Sequence, residues 1–291
     1  MLNISLHPNK CLVKGVCQMG FSYGLCSDIG KRRGSNQDKL IIKTSSSKYT
    51  GDFGLFAVAD GMGGMAEGGT AGEIAVENMR NWWAGLIDEN IRGTPVDKIC
   101  RELQKQFYHI NTSIIKYGRT KEIKIGTTLS ALFLVDSKYA ICHIGDSRIY
   151  KLNNQYRELK QLTVDHTFVA EQVKMGWISP EEASHHPNRN ILTQCLGVNR
   201  EIKTFISVGR IQKGDIFILC SDGLYNQVSA DLMSAIVLEG IERKKDVRAI
   251  AQLLTKAANN NGGSDNISVI ILGEKHAGKR QSLLGRLKNI F

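Results

Sequence analysis

LFAVADGMGG, residues 55–64, is an apolar run that stops at Asp60 and passes into glycine at positions 61, 63 and 64. The run has the length of a buried strand, and the Asp-Gly pair after it has the composition of a turn. Such a strand end delivers a carboxylate and a nearby carbonyl oxygen to one point on a sheet's rim. Those are hard oxygen donors of the kind Mg²⁺ and Mn²⁺ prefer. A single stretch of this type decides nothing, because strands end in Asp-Gly turns in proteins without metals. The pattern recurs, however. Asp222 ends DIFILCSD (215–222) and Asp146 ends YAICHIGD (139–146), while Asp38 precedes KLIIK (39–43) and Asp265 precedes NISVIIL (266–272). Five carboxylates far apart in the chain thus stand at strand ends, where a sheet can gather them on a common rim.

The chain has 291 residues, 42% of them hydrophobic, enough for one large core or two small ones. No linker divides it. No apolar run is long enough to cross a bilayer, and residues 1–20 lack the basic start and continuous apolar centre of a secretory signal. The cysteines at 11, 17, 26, 100, 142, 195 and 220 show no CxxC spacing, and several sit inside apolar runs. A reducing, cytoplasmic setting is expected. The formal charge is +10. Part of the excess lies in the tail 274–291, where Lys275, Lys279, Arg280, Arg286 and Lys288 oppose Glu274. The rest is spread thinly, with no basic stripe interleaved with aromatics and no zinc-finger spacing, so no nucleic-acid partner is expected. A modestly basic surface equally suits phosphorylated proteins.

Residues 1–20 are expected as an extension ahead of a first strand and turn in FSYGLCSDIG (21–30). GKRRGSNQD (30–38) is a polar loop, and KLIIKTSSS followed by LFAVADG forms an antiparallel pair of strands. From residue 66 the apolar period becomes helical, with Ile74, Met79, Trp82, Trp83, Leu86 and Ile87 on one stripe. A second helix is expected from Pro95 to Tyr117 with Ile99, Leu103, Phe107, Ile110 and Ile114 inward. The aromatics on these helices are packing residues rather than a cofactor box. GTTLSALFLVD, KYAICHIGD, SRIYKLNN and RELKQLT predict another antiparallel meander. Residues 164–189 break the rhythm as a polar, piecewise helical insertion. Strands IKTFISV and DIFILCSD, helices at 230–240 and 246–259, and strand NISVIILGE complete the domain. Strand runs interrupted by helix pairs argue for an α+β layered sandwich.

If the five aspartates converge, they call for two or more divalent cations, since so many carboxylates cannot stay ionised together without counter-charge. A two-metal site can hold a bridging water and a phosphoryl group for in-line attack, which leads to phosphoester hydrolysis. The alternative is solvated aspartates in turns; for Asp146 alone the two readings balance. Arg33, five residues before Asp38, has the planar fork that matches phosphate. Of Arg33 and its neighbour Arg32, one is expected at the surface. Arg148 is expected as an ordinary ion-pair partner, and Asn266 as a residue that orients Asp265. His185 and His186 belong to a polar loop, and His166 to a structural hydrogen bond rather than to proton transfer. DGMGG lacks the GK[ST] ending of a phosphate-cradling loop, and neither GxSxG nor HExxH occurs.

RGSNQD (33–38), ADGMGG (59–64), GTT (126–128), IGDSRIY (144–150), LCSDGL (219–224) and SDNIS (264–268) resemble, in order, the motifs of the metal-dependent type 2C serine/threonine protein phosphatases, in their bacterial-type branch. The resemblance covers residues 21–273 and implies a catalytic domain with a flap at 164–189. It implies a four-layer αββα sandwich of two antiparallel sheets flanked by helices. It also implies two Mn²⁺ or Mg²⁺ ions, with a third at a weaker site. Asp60 would bridge two ions, with the Gly61 carbonyl completing one; Asp222 and Asp265 would ligate the other, and Asp38 would hold a metal-bound water. Asp146, with Asp222, would serve the third ion, and Arg33 would grip the substrate phosphate. Some members carry a histidine where this chain has Met62, so the leaving-group proton must come from elsewhere.

The implied activity is removal of phosphate from serine or threonine of proteins by a metal-activated water, in a monomer opposing a serine/threonine kinase in the cytoplasm. The rival is a catalytically silent regulator on the same fold, which would be expected to have lost ligands; all five aspartates are present. In the tail, Leu283, Leu284, Leu287, Ile290 and Phe291 share one helical face. A self-packed or disordered tail is favoured over one that docks on a membrane surface.

Overall fold

Alternate side chains of the strand Gly51–Ala59 enter two different cores. Phe53, Leu55, Ala57 and Ala59 pack toward helices, whereas Phe56 and Val58 pack toward a second sheet. Successive strand residues point to opposite faces. A run that is apolar at every position therefore marks a strand covered on both sides.

A computed structural model describes residues 10–16, 21–47, 51–62, 68–87, 94–153, 155 and 157–274. Strands β1 (Lys10–Val16), β2 (Phe21–Asp28), β3 (Lys39–Ser47), β4 (Gly51–Ala59) and the short β5 (Gly61–Met62) precede helices α1 (Gly68–Ile87) and α2 (Val96–Lys121). Strands β6 (Gly126–Thr127), β7 (Leu129–Val135), β8 (Lys138–Ile144), β9 (Arg148–Asn153) and β10 (Glu158–Gln161) follow. After them come α3 (Phe168–Lys174), α4 (Pro180–His185), β11 (Phe205–Arg210), β12 (Asp215–Cys220) and α5 (Asp222–Tyr225). Helices α6 (Ala230–Glu242) and α7 (Val247–Asn260) lead to the last described strand, β13 (Ile267–Glu274).

One sheet has the order β1-β2-β13-β12-β9-β10 and the other β11-β8-β7-β4-β3. Phe21, Tyr23, Leu25, Phe56, Leu132 and Phe217 are among the side chains that fill the space between them. The outer face of the five-stranded sheet packs on α1 and α2 through residues such as Met79, Leu103 and Phe107. The outer face of the six-stranded sheet packs on α6 and α7 through Met233, Val237, Ile250 and Leu254. The layers are helix, sheet, sheet and helix, which is the expected αββα sandwich.

The chain from β7 to β10 is not one meander, as its short turns suggested. Strands β7 and β8 pair in the five-stranded sheet, and β9 pairs with β10 and β12 in the other. The chain changes sheet at residues 145–147. Gly145 makes the crossing with φ +106°, and a side chain there would meet Thr128 at 2.5 Å. Helix α2 runs past the expected end at Tyr117 to Lys121. Gly118 does not stop it, because this glycine serves a close approach: a Cβ would lie 2.7 Å from the Ile123 carbonyl. Within the segment expected as an extension, Lys10–Val16 pairs antiparallel with β2 as the edge strand. The insertion at 164–189 contains α3 and α4, the latter opened by Ser179 and Glu182 in a reciprocal capping box. The expectations for Gly63, Gly64 and the tail helix fall outside the described residues. Among the described residues no helix is long and apolar enough to cross a membrane.

Candidate active site

The five aspartates come from both sheets and converge. Asp38 leads into β3, Asp60 stands between β4 and β5, and Asp146 lies in the turn where the chain changes sheet. Asp222 opens α5 after β12, and Asp265 precedes β13. A cavity of about 280 Å³ is lined by Asp60, Gly61, Met62, Asp146, Asp222 and Asp265, with Arg33, Gln37, Thr128, Asn190 and Leu192 around them. Asp38 lies behind this lining, buried at 6% exposure.

The main chain of Asp60 is clamped by the GTT segment. Asp60 N donates to Thr128 Oγ1 at 3.0 Å, and the Asp60 carbonyl accepts from Thr127 Oγ1 and Thr128 N, both at 2.9 Å. Thr128 Oγ1 also pairs with Ser147 Oγ at 2.7 Å, which ties the Asp60 corner to the Asp146 turn. The pairing of Gly61 with Thr127 and of Met62 with Gly126 extends the clamp.

Asp222 does not end a strand as its pattern suggested; β12 ends at Cys220, and Ser221 intervenes. Gly223 passes so close to Asn266 that a Cβ would lie 2.1 Å from its carbonyl oxygen, which is why glycine follows this aspartate. Ser221 Oγ donates to Asp38 Oδ2 at 2.7 Å and accepts from Ser268 N at 3.0 Å, joining the two sheets beneath the cavity.

Asn266 acts differently from expectation. Its side chain staples the loop that carries Arg33 and Asp38: Oδ1 accepts from Gln37 N at 2.9 Å, and Nδ2 donates to the carbonyls of Ile29 and Ser35 at 2.9 and 3.0 Å. Asp265 is held instead by the Asn266 backbone N–H, which reaches Oδ1 at 2.8 Å. Arg33 reaches the cavity and donates from Nη2 to Asp265 Oδ2 at 2.5 Å. This bond, outweighing the opposing effect of burial, raises the Arg33 pKa. Both Arg32 and Arg33 are exposed, where one of the pair was expected to be, and Arg33 reaches Asp265 from the rim.

The electrostatics are those of carboxylates crowded around an arginine, Arg33. Burial pushes the Asp38 carboxyl up to about 6, although bonds from Ser268 and Ser221 oppose it. Burial and then Asp165 raise Asp146 to about 6. Asp60 is raised well above the usual carboxylate range by burial, then by Asp38 and Asp222. Asp222 is raised likewise by burial, then by Asp146 and Asp265. Two buried oxygens, Asp38 Oδ1 and Asp222 Oδ1, have no hydrogen-bond partner. A buried acceptor left unmatched costs on the order of 1–3 kcal/mol, more when charged. Hard divalent cations answer both features, so the donor set fits them in kind. Among the described residues no three of these side chains close on one ion as placed. Asp265 is engaged by Arg33 and one Asp38 oxygen by Ser221, so ion binding would exchange at least the first of these partners.

The described histidines are not among the residues that line the cavity. His166 Nδ1 accepts from Gly145 N at 3.1 Å, the structural bond expected of it. His143 is fully buried, and burial, with His166 beside it, lowers its pKa to about 3. His185 and His186 end and cap α4 rather than lie in a loop. Arg148 pairs with Asp165, as anticipated. Sequence reasoning missed Ser221 and gave Thr127 and Thr128 no role beyond their motif. The available signal was a hydroxyl residue between a fully apolar strand and an aspartate. Asn190 and Leu192, just past the expected insertion, were also missed, and nothing in their sequence distinguishes them.

Comparison with known proteins agrees with this fold. Residues 31–261 match the family model described as protein phosphatase 2C. Over 253 residues the chain is 34% identical to the protein phosphatase PhpP of Streptococcus pneumoniae serotype 2 (strain D39 / NCTC 7466), covering 85% of this chain and 95% of that one. It resembles the S. agalactiae serine/threonine phosphatase with a TM-score of 0.76 at 32% identity, covering 87% and 99% of the two chains. It resembles the catalytic domain of the serine/threonine protein phosphatase PstP in complex with two manganese ions with a TM-score of 0.70 at 30% identity, covering 87% and 97%.

Proposed function

Because the chain belongs to the protein phosphatase 2C family and is a protein serine/threonine phosphatase, we propose specific roles for its clustered residues. Asp38, Asp60, Asp146, Asp222 and Asp265, with the Gly61 carbonyl, hold the active-site cations, and Arg33 holds the substrate phosphate. The ions would be Mn²⁺ or Mg²⁺, with Asp60, Gly61, Asp222 and Asp265 as the residues that would hold two of them and Asp146 with Asp222 those that would hold a weaker third. The carrying observation is the convergence of aspartates from both sheets on one cavity that also receives an arginine. The manganese ions in the PstP relative support the choice of metal.

When bound, the cations would neutralise charge on the phosphoryl oxygens and acidify a water. The protein's own contribution is position. Thr127 and Thr128 fix the Asp60 corner, and Ser221 fixes one Asp38 oxygen while leaving Oδ1 as the acceptor that orients the attacking water. Arg33 swings between Asp265 and the phosphate, where its fork makes two parallel bonds. Water attacks directly, without a covalent phosphoenzyme. Met62 has no titratable proton and no histidine among the described residues lines the cavity, so the leaving-group proton is assigned to a water.

Substitution of Arg33 by Lys keeps the charge but loses the fork. It is expected to lower kcat/KM on a phosphothreonine peptide by about 10- to 100-fold, as loss of a charged hydrogen bond implies, mainly through KM. Steady-state kinetics with a parallel Mn²⁺ binding isotherm checks this. An unchanged KM would assign the phosphate grip to another residue.

The phosphorylated proteins it acts on are proposed to be those of a serine/threonine kinase in the same cytoplasm, with the phosphatase a monomer. Among the described residues, the buried free thiols of Cys100, Cys142, Cys195 and Cys220 support a reducing compartment.

A further inference from the structure

We infer that the root of the 164–189 insertion sets the position of Asp146 through two arms, one running from Asp165 through Arg148 and Tyr225, the other from His166 to Gly145. In the first arm Arg148 is fixed by Asp165: Nε lies 3.1 and 3.0 Å from its two oxygens, and Nη2 donates to Oδ2 at 2.7 Å. Gln161 Nε2 steadies Asp165 Oδ1 from behind at 2.8 Å. The Arg148 guanidinium carbon then lies 3.6 Å from the centre of the Tyr225 ring, and Nη1 donates to Tyr150 OH at 3.0 Å. Tyr225 belongs to α5, one turn after Asp222, and it opposes the rise that burial and then Asp165 impose on the Asp146 carboxyl, which sets it beside that side chain. Only a planar guanidinium can fork onto a carboxylate while lying flat on a ring.

In the second arm His166 holds the turn itself. His166 N donates to the Gly145 carbonyl at 2.7 Å, and Gly145 N donates to His166 Nδ1 at 3.1 Å. The His166 ring is stacked on buried His143, with centroids 5.1 Å apart and planes 14° from parallel. His166 thus holds the turn 145–147 through the Gly145 backbone, and Asp165 holds the Arg148 guanidinium that lies against Tyr225. Tyr225 and Arg148 are positioning residues: they touch Asp146 or its support and not the reacting atoms. A shift of the insertion would be felt at Asp146 before it is felt at Asp60, whose clamp is built from Thr127 and Thr128.

This inference rests on the reading that Asp146 holds an ion. The test is calorimetric titration of the full chain with Mn²⁺ alone, comparing the wild type with Tyr225→Phe, Arg148→Lys and Asp146→Asn. Tyr225→Phe is expected to leave the tight ions unchanged and to weaken the weakest ion about tenfold, the usual consequence of losing a partner of a metal ligand. Arg148→Lys should weaken the same ion, and the double variant should fall short of the sum of the single effects, because both lie on one arm. If Asp146→Asn weakens the third ion while Tyr225→Phe leaves every ion unchanged, the positioning arm is wrong. If Asp146→Asn changes no ion, the reading beneath it fails, and the inference with it. Tyr225→Phe removes one oxygen from a half-buried ring, so it keeps the test open should Arg148→Lys fold poorly.

Discussion

Replacing Asp60 by asparagine is expected to lower turnover of a phosphothreonine peptide by a factor on the order of 10³ or more, because the ions supply several kcal/mol of charge stabilisation in the transition state. Asparagine has nearly the same shape, and the clamp from Thr127 and Thr128 acts on the main chain of residue 60, so the corner should keep its form. Only the charge disappears. The same change carries a second signature. Asp60 is buried among Asp38 and Asp222, which disfavours its ionised form, so removing the charge should leave the chelator-treated protein at least as stable as the wild type. Loss of activity with no loss of melting temperature separates a missing ligand from a damaged fold. Retention of a tenth or more of wild-type turnover would remove Asp60 from the site.

Cation removal should also reverse the pH dependence of stability. The Asp38 and Asp146 carboxyls are raised to about 6 in the folded protein, against about 3.9 in an unfolded chain. Between those values the folded state binds more protons than the unfolded state. Their contribution is therefore complete below about pH 4 and is lost as pH rises through about 6. Asp60 and Asp222, raised further, extend the decline to higher pH. Divalent ions bind the ionised carboxylates and cancel this penalty, more so as pH rises. An ion present at about a hundred times its Kd stabilises by about 2.7 kcal/mol, so two ions should raise the melting temperature on the order of 10 °C. Calorimetry in EDTA and in millimolar Mn²⁺, near pH 5.5 and near pH 7.5, reads both effects. A Mn²⁺-induced shift no larger at the higher pH would contradict it.

How far the sequence reaches depends on the range of the interaction that sets each feature. The strand was legible from Leu55 to Ala59 because burial on both faces makes every position there apolar, and the clustering of aspartates because each stands at the edge of such a run. Local pattern said nothing about which sheet a strand joins. The crossing at Gly145 depends on Thr128, 17 positions earlier in the chain, and looked like an ordinary turn. Gly118 has the residue type of a helix stop, yet its use is a contact with Ile123 that exists only after folding. Asp222 lines the cavity, but its setting at the head of α5 was hidden because the close partner of Gly223 is Asn266. Asn266 was legible as support and misassigned in direction, since adjacency to Asp265 said nothing of the loop 29–37 that its amide holds.

The central claim is that these aspartates hold cations that make the chain a serine/threonine phosphatase, and phosphate release from a phosphothreonine peptide by the purified full chain tests it most directly. Phosphate release is expected in excess Mn²⁺, with abolition by EDTA and recovery when Mn²⁺ is restored. Turnover that persists undiminished in EDTA, or a protein with excess Mn²⁺ that is inert on every phosphopeptide tried, would contradict it.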